Sequence, residues 1–191
     1  MVFDTRTIVG LGLLTAIVIV LQSMALSIRF GTFSITLVLV PIIVGSALYG
    51  VKAGAWLGFV FGVVVLFTDA SAFLAINVPG TIATCILKGT LAGVASGAVY
   101  KLMSLKSNLV AVIMAGLVSP IVNTGIFLIG CILFFLDTIR EWALGAGFGN
   151  VYTYLITSFV GVNFLVEMAI NLILSSAIVA IINIGKKKLI K

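Results

Sequence analysis

Two ionisable residues, Lys88 and Glu167, lie inside long apolar stretches of the chain. A lysine at the centre of a membrane-spanning helix costs up to about 2.5–3.5 kcal/mol to insert, and ionisable residues at that depth are functional by default. Asn163, Glu167 and Asn171 recur every four residues, so they share one face of a helix. This spacing predicts a polar ligand pocket in which Lys88 pairs with an acidic group. The alternative is an internal Lys88–Glu167 ion pair, with the asparagines joining helices.

Three other polar residues, Asn123, Asn77 and Thr81, are candidates for the same pocket. Asn123 follows Pro120, whose ring frees a backbone carbonyl and can bend a helix. Asn77 and Thr81 flank Pro79-Gly80, where a helix is expected to begin. At a helix start, both residue types can either cap the helix or face a ligand. Capping is the preferred interpretation.

The expected depths of the polar residues favour a pocket in the outer half of a helix bundle. At about 1.5 Å of rise per residue, they lie roughly 13 to 22 Å from the outer helix ends, in the order Lys88, Asn163, Asn123 and Glu167. Three predicted helices therefore contribute polar groups at similar depths. This arrangement is typical of a site that is open to the outside and closed toward the cytoplasm.

The sequence lacks the residues that most catalytic and metal sites need. It contains no histidine, which excludes a histidine-based triad, general base or metal site. Cys85 and Cys131 stand alone in apolar stretches and are expected to be small buried side chains. The phosphate-binding motif G-x-x-x-x-G-K-[ST] is also missing. We therefore expect no catalytic residue, no metal and no cofactor, and any ATP hydrolysis must occur on another polypeptide.

Composition places the whole chain in a membrane. Of its 191 residues, 62% are hydrophobic and 8% are charged, whereas soluble domains average about 45–50% apolar and about 25% charged residues. So few charges exclude a soluble enzyme, a nucleic-acid-binding protein and a disordered chain. The apolar stretches are long and unbroken, unlike the alternating strands of a β-barrel. We expect one all-α domain over residues 1–191, embedded in the lipid bilayer.

The apolar stretches predict a bundle of six transmembrane helices, at about 7–28, 34–49, 53–69, 79–101, 108–136 and 152–185. The first apolar stretch is too long for a cleaved secretory signal. Six crossings put both termini on one side, and that side would carry eight basic residues against Arg29 and Arg140 on the other. The excess predicts that both termini are cytoplasmic. The eight residues are Arg6, Lys52, Lys101, Lys106, Lys186, Lys187, Lys188 and Lys191. The C-terminal lysines could also bind anionic lipid, although a plain topology signal is the preferred interpretation.

Several segments are similar to one family of membrane proteins. They are residues 37–42 with Gly45 and Tyr49-Gly50, residues 54–58, and residues 88–93. Over essentially its whole length the chain resembles the substrate-binding S components of energy-coupling factor (ECF) vitamin transporters. Residues 119–125 and 163–167 resemble the pantothenate-type branch, which is related to riboflavin binders.

The resemblance implies a transport subunit of the cell membrane that lacks its own ATPase. In that family the S component captures a vitamin outside, reorients in the membrane and releases the vitamin inside when ATP is used. The implied partners are a small-molecule vitamin, a transmembrane T subunit and two cytoplasmic ATPase subunits, with no nucleic acid.

Small residues on the first predicted helix match the family's contact with the T subunit. The family's A-x-x-x-A motif falls on Gly12 and Ala16, so glycine replaces the first alanine. Both residues are small enough for close helix approach, and we expect them at the interface with the T subunit. On the third predicted helix, Gly54, Gly58 and Gly62 repeat every four residues, which predicts close packing inside the bundle.

The leading hypothesis is capture of a water-soluble vitamin, with pantothenate the favoured substrate. Lys88 would bind its carboxylate, and Asn123, Asn163 and Glu167 would bind hydroxyl and amide groups. The alternatives are an S component for riboflavin or a pyridoxine-like compound, a self-sufficient small channel or secondary transporter, and a membrane scaffold. The self-sufficient transporter is disfavoured because the chain shows no internal repeat and no evident ion site.

Overall fold

The computed structural model describes residues 5–25, 29–30, 33–34 and 37–189. Only the backbone is described for residues 25, 29, 30, 33, 34, 159, 162, 163, 188 and 189. The described part of the chain is nearly all helical, as the composition predicts.

Five long or medium helices follow the predicted apolar stretches. They are α1 (Thr5–Ala25), α2 (Leu39–Tyr49), α3 (Val51–Thr68), α5 (Val78–Met103) and α6 (Asn108–Phe134). The predicted start of the second helix at residue 34 is wrong, because Phe33–Ser34 forms a short strand β2 paired antiparallel with β1 (Arg29–Phe30). The predicted end of the first helix, at residue 28, lies outside the described residues.

Two predicted connections contain helices. Short α4 (Ser71–Leu74) lies between α3 and α5, and α7 (Leu136–Gly145) occupies most of the stretch from 137 to 151 that was expected to be a loop. Helix α7 mixes charged and apolar residues, and Ile139 and Ala143, four residues apart, are both buried. One apolar stripe is enough to hold a short helix against the bundle, but the hydropathy of α7 is too low to predict a membrane span.

The last predicted span is divided into several segments. It comprises α8 (Val151–Tyr154), a π-helical turn (Leu155–Gly161), α9 (Val162–Ile173) and α10 (Ser175–Leu189). A bend of 54° at Leu174 separates α9 from α10, so the prediction of one continuous helix is wrong. By length and composition, four described helices can cross a membrane, or five if the bent pair is one span. The six-span count and the cytoplasmic termini remain predictions.

Glycines bring α3 and α5 into backbone contact. A methyl group at Gly58 would collide with the carbonyl oxygen of Gly89, and one at Gly62 would collide with that of Cys85. A methyl group at Gly54 would lie 2.5 Å from the carbonyl oxygen of Gly93. The predicted packing role of the α3 glycines is therefore confirmed, and α5 lies between α3 and α6.

The start of α1 and the end of α10 lie at the same end of the bundle. A methyl group at Gly10 would collide with the hydroxyl of Tyr49, near the end of α2. A methyl group at Gly185 would lie 2.8 Å from the side chain of Leu48, also near the end of α2. The first turns of α1 and the last turns of α10 therefore approach the α2–α3 turn.

Candidate ligand site between α3, α5 and α6

Lys88 is held between two aromatic rings. The close approach of α3 and α5 around Gly89 brings its ammonium nitrogen Nζ to 5.6 Å from the ring centroid of Phe61 on α3. The ring centroid of Phe127 on α6 lies 5.2 Å from the same atom. Both distances are within the range of cation–π interactions. Within the described part of the chain, the contacts of Lys88 are with rings and not with a carboxylate, and these rings stabilise the ammonium charge.

An aromatic cluster extends from Phe127 away from Lys88. Its described members include Phe127, Phe73 of α4, Phe135 and Trp142 of α7. The Phe73 centroid lies 5.8 Å from that of Phe127, 4.9 Å from that of Phe135 and 5.8 Å from that of Trp142, all in edge-to-face geometry. Such geometry is favoured between aromatic rings. The cluster fixes the short helix α4 against α6 and α7, on the side of the bundle where α5 begins.

Asn123 presents a buried oxygen one helical turn from Phe127. The residue is 8% exposed, and its Oδ1 atom has no hydrogen-bond partner among the described residues. Ser119, one turn further along α6, is fully buried, and its hydroxyl oxygen likewise has no partner in the described part. Buried polar atoms are almost always paired with protein, water or ligand. Ser119 and Asn123 therefore offer hydrogen-bonding capacity on the same face of α6 as Phe127, the ring that contacts Lys88.

Asn77 and Thr81 form hydrogen bonds within the first turn of α5. The side chain of Asn77 accepts a hydrogen bond of 2.9 Å from the backbone N–H of Gly80, and it is the N-cap of the helix. The hydroxyl of Thr81 donates to the carbonyl oxygen of Asn77 at 2.7 Å. The preferred capping interpretation is thus confirmed for Asn77, whereas the Thr81 hydroxyl bonds back to a carbonyl and caps no N–H group. Contact of either residue with a ligand remains a prediction.

The polar face of the last span reaches α6 through Asn171. Its Nδ2 donates to the carbonyl oxygen of Gly116 at 3.1 Å, and the residue is 3% exposed. Gly116 lies four residues before Pro120, so its carbonyl is the one that the proline leaves without a helical partner. Glu167 lies half-buried one turn away on α9, which packs on α6. The side chain of Asn163 lies outside the described residues, so its predicted role is untested.

The predicted partner-facing residues lie on an open side of α1. Gly12 and Ala16 are exposed, and a methyl group at Gly12 would meet nothing within 4 Å. A surface groove beside them is lined by Ile8, Leu11, Gly12, Thr15 and Trp56. The indole Nε1 of Trp56 on α3 donates to the hydroxyl of Thr15 at 3.1 Å, which fixes the floor of the groove.

Comparison with known protein families decides the class of this bundle. The sequence model of the family described as ECF transporter, substrate-specific component, matches residues 6–182. The chain belongs to this family. No curated protein and no solved structure matches it.

Family membership gives the S component its general role. Members are substrate-binding subunits of ECF transporters, which implies a small-molecule substrate and partnership with T and ATPase subunits. They are transport subunits and not enzymes. The family and the apolar helices together indicate a multi-pass membrane protein.

Sequence analysis missed two features of this S component. The first is the pair of rings around Lys88, because Phe61 and Phe127 look like ordinary apolar residues of their helices. The second is Gln22 on α1, which is 1% exposed and donates through Nε2 to the carboxylate of Asp69 at 2.6 Å. A glutamine near the end of an apolar helix was the available signal for this contact between α1 and α3.

Proposed function

We propose that this S component captures pantothenate from outside the cell and delivers it to the cytoplasm as part of an ATP-driven ECF importer. The observation that supports the substrate is the setting of Lys88. Its ammonium group lies between Phe61 and Phe127, and its described contacts include no carboxylate. A ligand carboxylate would neutralise this charge at a depth where an unpaired lysine is costly.

The rest of the proposed site suits the other end of pantothenate. That molecule carries one carboxylate, one amide and two hydroxyl groups. Asn123 offers an oxygen acceptor that lacks a described partner, and a hydroxyl or amide hydrogen of the ligand would satisfy it. Asn163 and Glu167 are proposed as further contacts from the last span, with Asn77 and Thr81 at the start of α5.

The transport cycle is proposed from the family. The T subunit would dock on the face of α1 that carries Gly12 and Ala16, and two cytoplasmic ATPase subunits would supply the energy. The S component would then reorient and release the vitamin inside. The open surface at Gly12 supports this placement, because a small residue with no internal neighbour permits close approach of another helix.

The substrate is tested by purifying the chain and identifying the co-bound small molecule by mass spectrometry. Pantothenate, or an affinity for it in calorimetric titration, is expected. Lys88→Met should weaken pantothenate binding about 10- to 100-fold, the range for loss of a charge-assisted hydrogen bond. Binding of pantothenol, in which an alcohol replaces the carboxylate, should change little in the same variant.

The control is Lys101→Met, which removes an exposed lysine from the same helix and should leave both affinities unchanged. Equal pantothenate affinity in the wild type and in Lys88→Met would show that Lys88 is structural only. A co-purified neutral flavin would overturn the assignment of pantothenate.

A further inference from the structure

A polar network holds the end of α10 against the turn between α5 and α6. The Nζ of Lys186 donates to the hydroxyl of Tyr100 at 3.1 Å and lies 5.4 Å from its ring centroid. The Tyr100 hydroxyl donates to Oδ1 of Asn108 at 3.3 Å, and Nδ2 of Asn108 donates to Oδ1 of Asn183, also at 3.3 Å. Tyr100 is 4% exposed. Lys186 is therefore bonded within the bundle, and this bond fixes the position of the next residue on α10, Lys187.

Four exposed lysines surround this network. Lys187 and Lys101 directly follow the bonded residues Lys186 and Tyr100, and Lys106 lies in the turn before Asn108. Lys52 is close to the same place, because the preceding residue, Val51, packs against Gly97, one turn before Lys101. A methyl group at Gly97 would lie 2.9 Å from the Cα of Val51. We call these four residues, Lys52, Lys101, Lys106 and Lys187, the lysine patch.

The acidic residues of the described part lie away from the lysine patch. Asp69 follows the opposite end of α3, and Asp137 and Glu141 belong to α7, beyond the far end of α6. Glu167 is on α9, one turn further from α10 than Asn171. Among the described residues, no carboxylate therefore lies beside the lysine patch.

Exposed apolar residues alternate with the lysines. Leu105 is 89% exposed, Leu102 is 65% exposed and Ile184 is 59% exposed. Lysines next to apolar side chains match the boundary between phospholipid headgroups and acyl chains, where long basic side chains reach the phosphates. A free phosphate ion would use the charges but would leave the leucines without a partner.

We propose that the lysine patch is a binding site for anionic phospholipids, with the lysines on the headgroup phosphates and Leu102 and Leu105 among the acyl chains. The lysine patch stands apart from the candidate ligand site around Lys88, and the proposal does not depend on the identity of the substrate. Because Tyr100 and Lys186 join α5 to α10, a lipid bound there would tie both helices to the membrane surface.

The test measures lipid binding to the full chain in detergent by native mass spectrometry. Phosphatidylglycerol should bind more tightly than phosphatidylcholine, and added salt should reduce the difference. Lys101→Gln and Lys187→Gln should each lower the affinity for phosphatidylglycerol about fivefold. The triple variant Lys101→Gln/Lys106→Gln/Lys187→Gln should remove most of the preference.

The matched control is Arg140→Gln, which removes one positive charge from α7, where Arg140 pairs with Asp137 at 3.0 Å. It should leave phosphatidylglycerol binding unchanged. Equal affinity for the two lipids in the wild type, or unchanged preference in both single lysine variants, would overturn the proposal. Glycerol 3-phosphate binding as tightly as phosphatidylglycerol would also overturn it, in favour of a soluble phosphate.

Discussion

Asn171 shows how one residue compensates for a proline inside a membrane helix. Pro120 cannot donate a hydrogen bond to the carbonyl of Gly116, four residues earlier, and the bilayer core supplies no water to replace that bond. Asn171 donates its side-chain N–H to this carbonyl from α9. A methyl group at Gly116 would lie 3.4 Å from the Cβ of Asn171, an ordinary contact distance, so α9 packs directly against α6 at this point.

Replacing Asn171 should therefore destabilise the bundle through the Gly116 carbonyl. Asn171→Leu keeps a similar volume but removes the donor, and should lower the free energy of unfolding by about 1 kcal/mol. In a Pro120→Ala background the new backbone N–H can pair with the Gly116 carbonyl, so the same change should cost less there. Denaturant unfolding of the four proteins in detergent gives the coupling between the two positions.

A coupling of about 0.5–1.5 kcal/mol is expected. If the effects of Asn171→Leu and Pro120→Ala were additive, the Gly116 carbonyl would not link the two positions. Leu172→Ala serves as a control, because Leu172 is adjacent in sequence but 40% exposed, and its effect should not depend on residue 120.

The residues of the candidate site were predictable from the sequence by type but not by environment. Lys88 and Asn123 stand out because they are polar residues in apolar helices, and the structure places Lys88 against Phe127 of α6 and buries Asn123 one turn away on that helix. The ring pair around Lys88 depends on the relative rotation of three helices, which spacing along one helix cannot give. The sequence allows Asn77 to cap α5 or to face a ligand, and only the hydrogen bond from the Gly80 N–H identifies it as a cap.

At the scale of elements, repeated glycines were the most informative pattern. The four-residue repeat of Gly54, Gly58 and Gly62 predicts a flat helix face, and the structure shows which backbone occupies it. Hydropathy alone was less informative for the last span, because the π-helical turn and the bend at Leu174 leave a continuous apolar sequence. The helix α7 was missed for the opposite reason, since only one of its faces is apolar.

The contact between α3 and α5 predicts a large effect for Gly58→Ala. The added methyl group would collide with the carbonyl oxygen of Gly89, and neither helix backbone can yield locally. We expect a loss of about 1–3 kcal/mol in unfolding free energy, the usual cost of overpacking. Denaturant unfolding in detergent measures this loss, and weaker ligand binding should accompany it because Lys88 adjoins Gly89.

Gly12→Ala is the matched control for this change. Its methyl group would meet no atom within 4 Å, and alanine is favoured over glycine in helices by up to about 1 kcal/mol. Stability should therefore stay the same or rise slightly. Equal losses in Gly58→Ala and Gly12→Ala would show that the α3–α5 contact is not specially tight.

At the scale of the whole molecule, α1 is attached to the rest of the bundle along one side only. Among the described side-chain hydrogen bonds, two groups join α1 to α3: Trp56 to Thr15, and Gln22 to Thr68 and Asp69. The other side of α1 exposes Leu13, Ile17 and Val20. The candidate ligand site is built on α3, α5 and α6, so the surface proposed for the T subunit and the site proposed for the vitamin share α3.

This division predicts that assembly and ligand capture can be separated by a single substitution. Gly12→Leu would fill the groove beside Trp56 and keep a partner helix away, so co-purification with the T subunit should be lost. Pantothenate binding by the isolated chain should persist, because Gly12 touches none of the ligand-site residues. Gly125→Leu adds the same side chain to α6 at a glycine that also has no neighbour within 4 Å, and it should retain the T subunit. A complex that survives Gly12→Leu, or one that is lost equally in Gly125→Leu, would refute the placement of the T subunit on α1.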